Sequence, residues 1–390
     1  MSFLRWAVVA LVVLVALVAA SLTAEPGVWR DAVQWARTYR ETSAQRAATC
    51  PVLVGQPLPG NPREAYERVG LTVLALNAAE RQQLRTFAEG RAESDEQALD
   101  LVAKLPADAL RLLRQSARMD GTMFSAGNLG RRDAAGAFLD QHLMLDAILV
   151  LSRHAASESE RVHAWLDALA CGWDLAGSEL PVYSLVGLTV VGRAMDVADD
   201  QWLQELSPKT LREVCDALAA VDAATPVRVD LDSLIADMVL LVDEAEELQP
   251  SDIGLRSIYQ AWQNGFSIEG EAIERVSRAI EQVKAFRDAT PPAEEWASRR
   301  ERLQRLVKDD ELCNSDMMWG YLSFVLESEQ SRRECVASVR VLRMALAERS
   351  GERLALRDPL GAGAIQVERQ GETVRIFCAA GKPERRVVVK

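Results

Sequence analysis

Over most of the chain, apolar residues recur every three or four positions, the period of an α-helix with one buried face. Leu139, Leu143, Ala147, Val150 and Leu151 form one such row, and Leu211, Val214, Leu218 and Val221 form another. Start and stop residues punctuate these rows. Asn77 with Glu80, Ser94 with Gln97 and Ser157 with Glu160 have capping-box spacing, and Gly90 closes the first of these helices. Ser207-Pro208, Thr225-Pro226 and Thr290-Pro291 each put a cap before a proline at the first helical position. The pattern predicts roughly a dozen helices joined by short loops, which favours antiparallel neighbours. The expected fold is therefore mainly α, an irregular stack or bundle of antiparallel helical hairpins. It is solenoid-like at most. Small residues at Gly130, Ala134 and Ala135 have tetratricopeptide-like spacing, but the pattern does not return after about 34 residues. Gly187 and Gly192 sit inside one helical stretch, where each costs about 1 kcal/mol against alanine; close helix packing is the expected reason.

The two ends break the helical pattern. Trp6 to Ala24 is a 19-residue run without a charge, ~28 Å long as a helix and so near the thickness of a bilayer core. Arg5 precedes it, so the positive-inside rule keeps the N-terminus cytoplasmic and sends the rest outward. Arg5, Trp6 and Trp29 are the expected interface residues of this anchor, because indole rings prefer the membrane–water boundary. A cleaved signal peptide is the alternative, with Val18-Ala19-Ala20 as its small-residue site. At the other end Ile365 and Val367 alternate with polar residues, as do Val374, Ile376 and Cys378. A turn through Gly371 between them predicts a β-hairpin. An amphipathic helix ending near Gly351 and a rigid Asp358-Pro359-Leu360-Gly361 corner precede it. The chain thus divides into a cytoplasmic stub (1–5), the anchor (6–24), a helical domain (25–330) and a C-terminal helix plus hairpin (331–390).

Composition adds location and partners. Apolar residues at 49% suffice for a large core, and the net charge of −12 repels phosphate backbones, so nucleic acid is not an expected partner. The basic runs Arg299–Lys308 and Lys382–Lys390 read as a solvated helix face and a frayed tail. The expected partners are the membrane, through the N-terminal helix, and another exported or membrane protein. Export makes disulfides feasible among Cys50, Cys171, Cys215, Cys313, Cys335 and Cys378. Cys313–Cys335 and Cys171–Cys215 are candidate pairs joining neighbouring helices, and reduced buried thiols are the alternative.

Chemistry is sparse. His142, His154 and His163 are the only histidines, and no pair has the spacing of an HExxH site. His142 with Asp146 one turn later is the one polar site candidate. "GLTVVGRA" lacks the Lys-Ser/Thr of a phosphate loop, and "GFSIEG" misplaces the second glycine of a nucleophile elbow. No metal or cofactor is expected, and no catalytic residue is assigned.

The helix, Asp-Pro-x-Gly corner and hairpin resemble the C-terminal part of type II secretion major pseudopilins. They are similar also to the tail of a loose family of membrane-anchored, mostly helical exported proteins of unknown function. The segment Ser184 to Gly192 is similar to one in that family's helical part. The pseudopilin resemblance implies an accessory component of a secretion or pilus-like apparatus. The chain departs from that family at both ends. "MSFLRWAVVALVVLV" has no cleavable glycine followed by glutamate, and "FCAAGKPERR" replaces the calcium-binding ending. Three roles follow as expectations. The first is a membrane-anchored, periplasmic helical scaffold or interaction module without catalysis. The others are the apparatus component and an enzyme with an unrecognised site.

Overall fold

In the computed structural model, residues 30–39, 51–70, 74–90, 94–119, 134–177, 181–224, 283–288, 295–308, 316–379 and 383–388 are described, with a few single positions between them. The expected anchor, with Arg5, Trp6 and Trp29, lies outside these residues. Among the described residues no helix is long and apolar enough to cross a membrane.

The chain is mainly helical and ends in a small antiparallel sheet. After a helical stretch over residues 30–39 come four short helices: α1 (Pro62–Gly70), α2 (Ala78–Ala88), α3 (Asp95–Ala103) and α4 (Ala107–Ser116). The centre is built from α5 (Ala134–His154), α6 (Glu158–Ala176) and α7 (Pro181–Val197). Then follow α8 (Asp200–Gln204), α9 (Pro208–Ala224), α10 (Trp296–Val307) and the long α11 (Asp316–Arg349). Helices α1 to α4 pack on α5, while α9 and α11 cover α6 and α7 respectively.

Local chemistry sets the helix ends where the capping spacing places them. The Asn77 side chain accepts from the Glu80 N–H at 3.0 Å, and the Glu80 carboxylate accepts from the Asn77 N–H at 2.9 Å. Ser94 and Ser157 accept from the third helical N–H of α3 and α6. At the end of α11, Gly351 takes φ +80, and the Gly351 and Glu352 N–H groups donate back to Glu348 and Ala347. That is a Schellman closure, available to glycine because the left-handed backbone carries no Cβ penalty there.

One apolar stripe per helix is too little for the central helices. From Leu143 to Val150 every residue of α5 is buried, as is every residue of α6 from Ala164 to Ala176. Helices enclosed on several sides need apolar residues all round. Two tryptophans stitch this centre. Trp165 donates its indole N–H to the Ala194 carbonyl at 2.6 Å, and Trp202 donates to the Ser152 carbonyl at 2.9 Å. Their rings lie 5.5 Å apart, so each buries a large apolar body without orphaning its polar tip.

Buried ion pairs join the layers. Asp167 on α6 is fully enclosed and accepts from Arg114 and Arg118 at 2.6–2.7 Å. Asp222 on α9 accepts from Arg340, at 2.8 Å, and from Arg343 on α11. The basic run at Arg299–Lys308 is not wholly a solvated face. Arg299 is buried and forks onto Glu329 at 2.8 and 3.0 Å, and Arg333 reaches the same carboxylate at 2.9 Å while stacking on Trp296. An arginine can enter the core this way because its planar fork matches a carboxylate.

The expected hairpin forms and gains a strand. β1 (Gln366–Gln370), β2 (Thr373–Phe377) and β3 (Glu384–Val388) run antiparallel in that order, with Val367 opposite Ile376 and Ile376 opposite Arg385. The basic tail read as frayed is therefore partly a strand. Its residues, Glu384-Arg385-Arg386-Val387-Val388, do not alternate between apolar and polar, so no period of two announces the strand. Gly371 takes φ +62 in the turn. Val374, Ile376 and Cys378 bury against Ala337, Val341 and Met344 of α11. The corner is tied by Asp358, whose carboxylate accepts from the Leu360 N–H at 2.8 Å and the Ala379 N–H at 2.7 Å.

The cysteine pairings are corrected. Cys215, Cys335 and Cys378 are free thiols, so neither Cys171–Cys215 nor Cys313–Cys335 forms; Cys50 and Cys313 lie outside the described residues. Burial pushes the Cys335 and Cys378 thiols up to about 12. The glycine expectation divides. Gly187 lies in close helix contact, whereas a Cβ on Gly192 meets nothing within 4 Å.

Candidate functional site

The polar candidate from the sequence sits where α2, α5 and α7 meet. His142 and Asp146 occupy successive turns on one face of α5. Asp146 is fully buried. Its Oδ1 accepts from Arg193 of α7 at 2.6 Å, and the same guanidinium reaches Glu89, the residue that ends α2, at 3.4 Å. Arg85 of α2 lies close enough to act on both His142 and Asp146. Three buried polar atoms in this group have no hydrogen-bond partner among the described residues: His142 Nε2, Asp146 Oδ2 and Arg85 Nε.

These surroundings separate the two titrations. Burial, with Arg193 and Arg85 nearby, lowers the His142 imidazole to about 4. Burial raises the Asp146 carboxyl to about 6, against the opposing pull of Arg193 and Arg85. The acid is thus shifted above the base, the reverse of their order in water.

The other histidines are elsewhere. His154 Nδ1 lies 2.5 Å from Asp95 Oδ1, and His163 Nε2 lies 3.6 Å from a Glu213 oxygen. Among the described residues no group of three His, Cys, Asp or Glu side chains is arranged to hold a metal ion.

A second feature was not singled out in the sequence. A cleft of about 750 Å³ lies between the segment through Val52, Leu53 and Gly55 and one face of α9. Its floor is apolar, from Val52, Leu53, Ala217 and Ala220, and its edge carries Lys209, Arg212, Glu213 and Asp216. The signal was present as the spacing Lys209, Arg212, Asp216, which puts charges on one side of a helix whose other side is buried. The partners of Asp146 also had a signal: Arg193 is the only charge from Pro181 to Met195. A lone charge in so apolar a helix needs a buried counter-charge. The cleft and the His142–Asp146 group are separate, since neither residue lines it.

Comparison with protein-family profiles, curated proteins and solved structures finds no match to this chain.

Proposed function

We propose that the chain is a membrane-anchored, extracytoplasmic scaffold or protein-interaction module without catalytic activity. Residues 6–24 lie in the lipid, with Arg5, Trp6 and Trp29 at the two interfaces. The body outside is an irregular, solenoid-like stack of antiparallel helical hairpins. The observation that carries this reading is the cleft on α9, which has an apolar floor and charges of both signs along its edge. That combination suits a protein segment with an apolar ridge flanked by acidic and basic side chains, because each edge charge then meets its opposite. An exported or membrane protein is the partner such a tethered surface meets.

The test is a photo-crosslinker at Lys209 on the cleft edge, with Glu372 in the exposed hairpin turn as control, in intact membranes. A discrete protein adduct from position 209 alone is expected. It is lost in the double charge reversal Arg212→Glu, Asp216→Arg, with folding unchanged. An adduct that survives the reversal, or none from position 209, contradicts the reading.

The alternative, an accessory component of a secretion or pilus-like apparatus, is supported by the tail's corner and sheet. Its exposed surface is β1, where Val367 is 37% exposed although it lies opposite buried Ile376. Truncating the tail is not a clean test, because β2 and β3 complete the core over α11. Val367→Arg is. Loss of the partner through V367R, and not through the cleft reversal, favours the alternative.

A further inference from the structure

The helical stretch over residues 30–39 turns one side to protein and the other to solvent. Val33 and Ala36, three residues apart, are buried. Trp35 lies on the far side and is 38% exposed; Leu58 and Val367 are the other large apolar side chains exposed among the described residues. Trp35 packs on Tyr39 one turn later, with ring centroids 5.6 Å apart and planes tilted by 30°. The Thr42 hydroxyl donates to the Thr38 carbonyl at 2.9 Å and closes the helix beside this pair. Asp31, Gln34 and Thr38 are the exposed neighbours of Trp35 on that side. A lone exposed apolar residue needs no partner. Here two rings with apolar bodies and polar tips are held together, and their place in the chain supplies the partner.

Five residues separate the end of the apolar run at Ala24 from Arg30. With Trp29 at the interface, the helix begins among the lipid headgroups. From Arg30 to Trp35 is at most ~7.5 Å along the axis. The headgroup layer outside the hydrocarbon is itself about 5–8 Å deep. Trp35 therefore stays in or beside that layer however the helix is tilted. Tyr39 is ~6 Å further on and enters the layer only when the helix lies along the surface. The short tether also keeps the exposed pair at high local concentration against the bilayer, ahead of any diffusing protein.

We propose that residues 30–39 form a helix lying along the lipid surface, with the Trp35 and Tyr39 rings in the headgroup layer and Val33 and Ala36 turned to the protein. Indole and phenol rings favour that depth because the body leaves water while the polar tip keeps it. Asp31, Gln34 and Thr38 hold the helix at headgroup level, since none of them enters hydrocarbon without cost. The proposal rests on the anchor reading given above. It adds that the body is seated on the bilayer by a second contact rather than hanging from a free tether.

The experiment places the photo-crosslinker benzoylphenylalanine singly at Val15, Trp35, Arg37 or Tyr39 of the full-length chain, reconstituted in phosphatidylcholine liposomes. Arg37 is exposed on the side of the helix away from Trp35. Val15, in the middle of the apolar run, reports the anchor by itself. Mass spectrometry reads phospholipid adducts on each peptide. Lipid adducts from positions 15, 35 and 39, with that from 37 several-fold weaker, are expected. An adduct from 15 with none from 35 and 39 overturns the proposal and leaves the anchor standing. An adduct from 35 without one from 39, or equal yields from 35 and 37, overturns the surface-lying helix. A crosslink from 35 or 39 to a second copy of the chain in place of lipid overturns it as well. No adduct at any position removes the anchor and this proposal together.

Discussion

Gly187 of α7 lies against the backbone of Ala176 at the end of α6. A Cβ built on Gly187 stands 2.2 Å from the Ala176 nitrogen and 2.5 Å from the Gly172 oxygen, distances no side-chain atom adopts. Gly172 answers from the other helix, where a Cβ meets the Val191 Cγ2 at 2.9 Å. The two glycines close the α6–α7 hairpin at main-chain distance, and the neighbouring backbone is rigid. Gly187→Ala is therefore expected to destabilise the protein by about 3 kcal/mol or more by overpacking. Gly192→Ala, with open space around its Cβ, is expected to be neutral or to stabilise by up to about 1 kcal/mol. Urea midpoints of the two variants check both signs.

Arg385 fastens the last strand to the centre of the molecule. It faces inward opposite Ile376 and donates to the Ala198 and Met195 carbonyls, at 2.5 and 2.7 Å, at the end of α7. A cation there meets the negative end of a helix. Arg385→Met is expected to cost about 1–3 kcal/mol through the two lost charged hydrogen bonds. Hydrogen exchange checks the place of the effect: amides of β3 lose protection, while those of α6 keep theirs.

Asp358 is buried and takes two backbone donors in the corner before the sheet. Asp358→Ala leaves both N–H groups without an acceptor, at about 1–3 kcal/mol each. Asp358→Asn retains one acceptor oxygen and is expected to recover part of the loss. Equal midpoints for the two variants would mean that the hydrogen bonds are not what holds the corner.

The thiols supply a redox prediction. Cys335 is enclosed, donates to the Leu188 carbonyl at 3.4 Å and is held up to about 12. The thiolate is the reactive form, so a thiol reagent at pH ~8 is expected to spare Cys335 in the native protein and label it in urea. Rapid native labelling of Cys335 would contradict its placement.

Legibility differed by element for physical reasons. Asn77, Ser94 and Ser157 could be read because a cap is a contact between residues three apart. The hairpin was readable because its turn is local, with Gly371 at the reversal. β3 was not, since its partner strand and the carbonyls that hold Arg385 are supplied by distant parts of the chain. Arg299 looked like surface for the same reason: Glu329, which neutralises it, is 30 residues away. His142 and Asp146 were legible as residues of one helix face, but Arg193, which pairs with Asp146, comes from a helix 47 residues further on. The cysteine pairings failed because connectivity is a property of the packed chain, not of spacing.

The tethered, exported scaffold stands or falls on one measurement. Spheroplasts of cells making the full-length chain are treated with protease from outside, and the membrane pellet is probed for both ends. The account predicts that the helical body is digested while a short N-terminal fragment containing residues 6–24 stays with the membrane. Recovery of the intact chain from the soluble fraction, protected from protease until the cells are lysed, would contradict it.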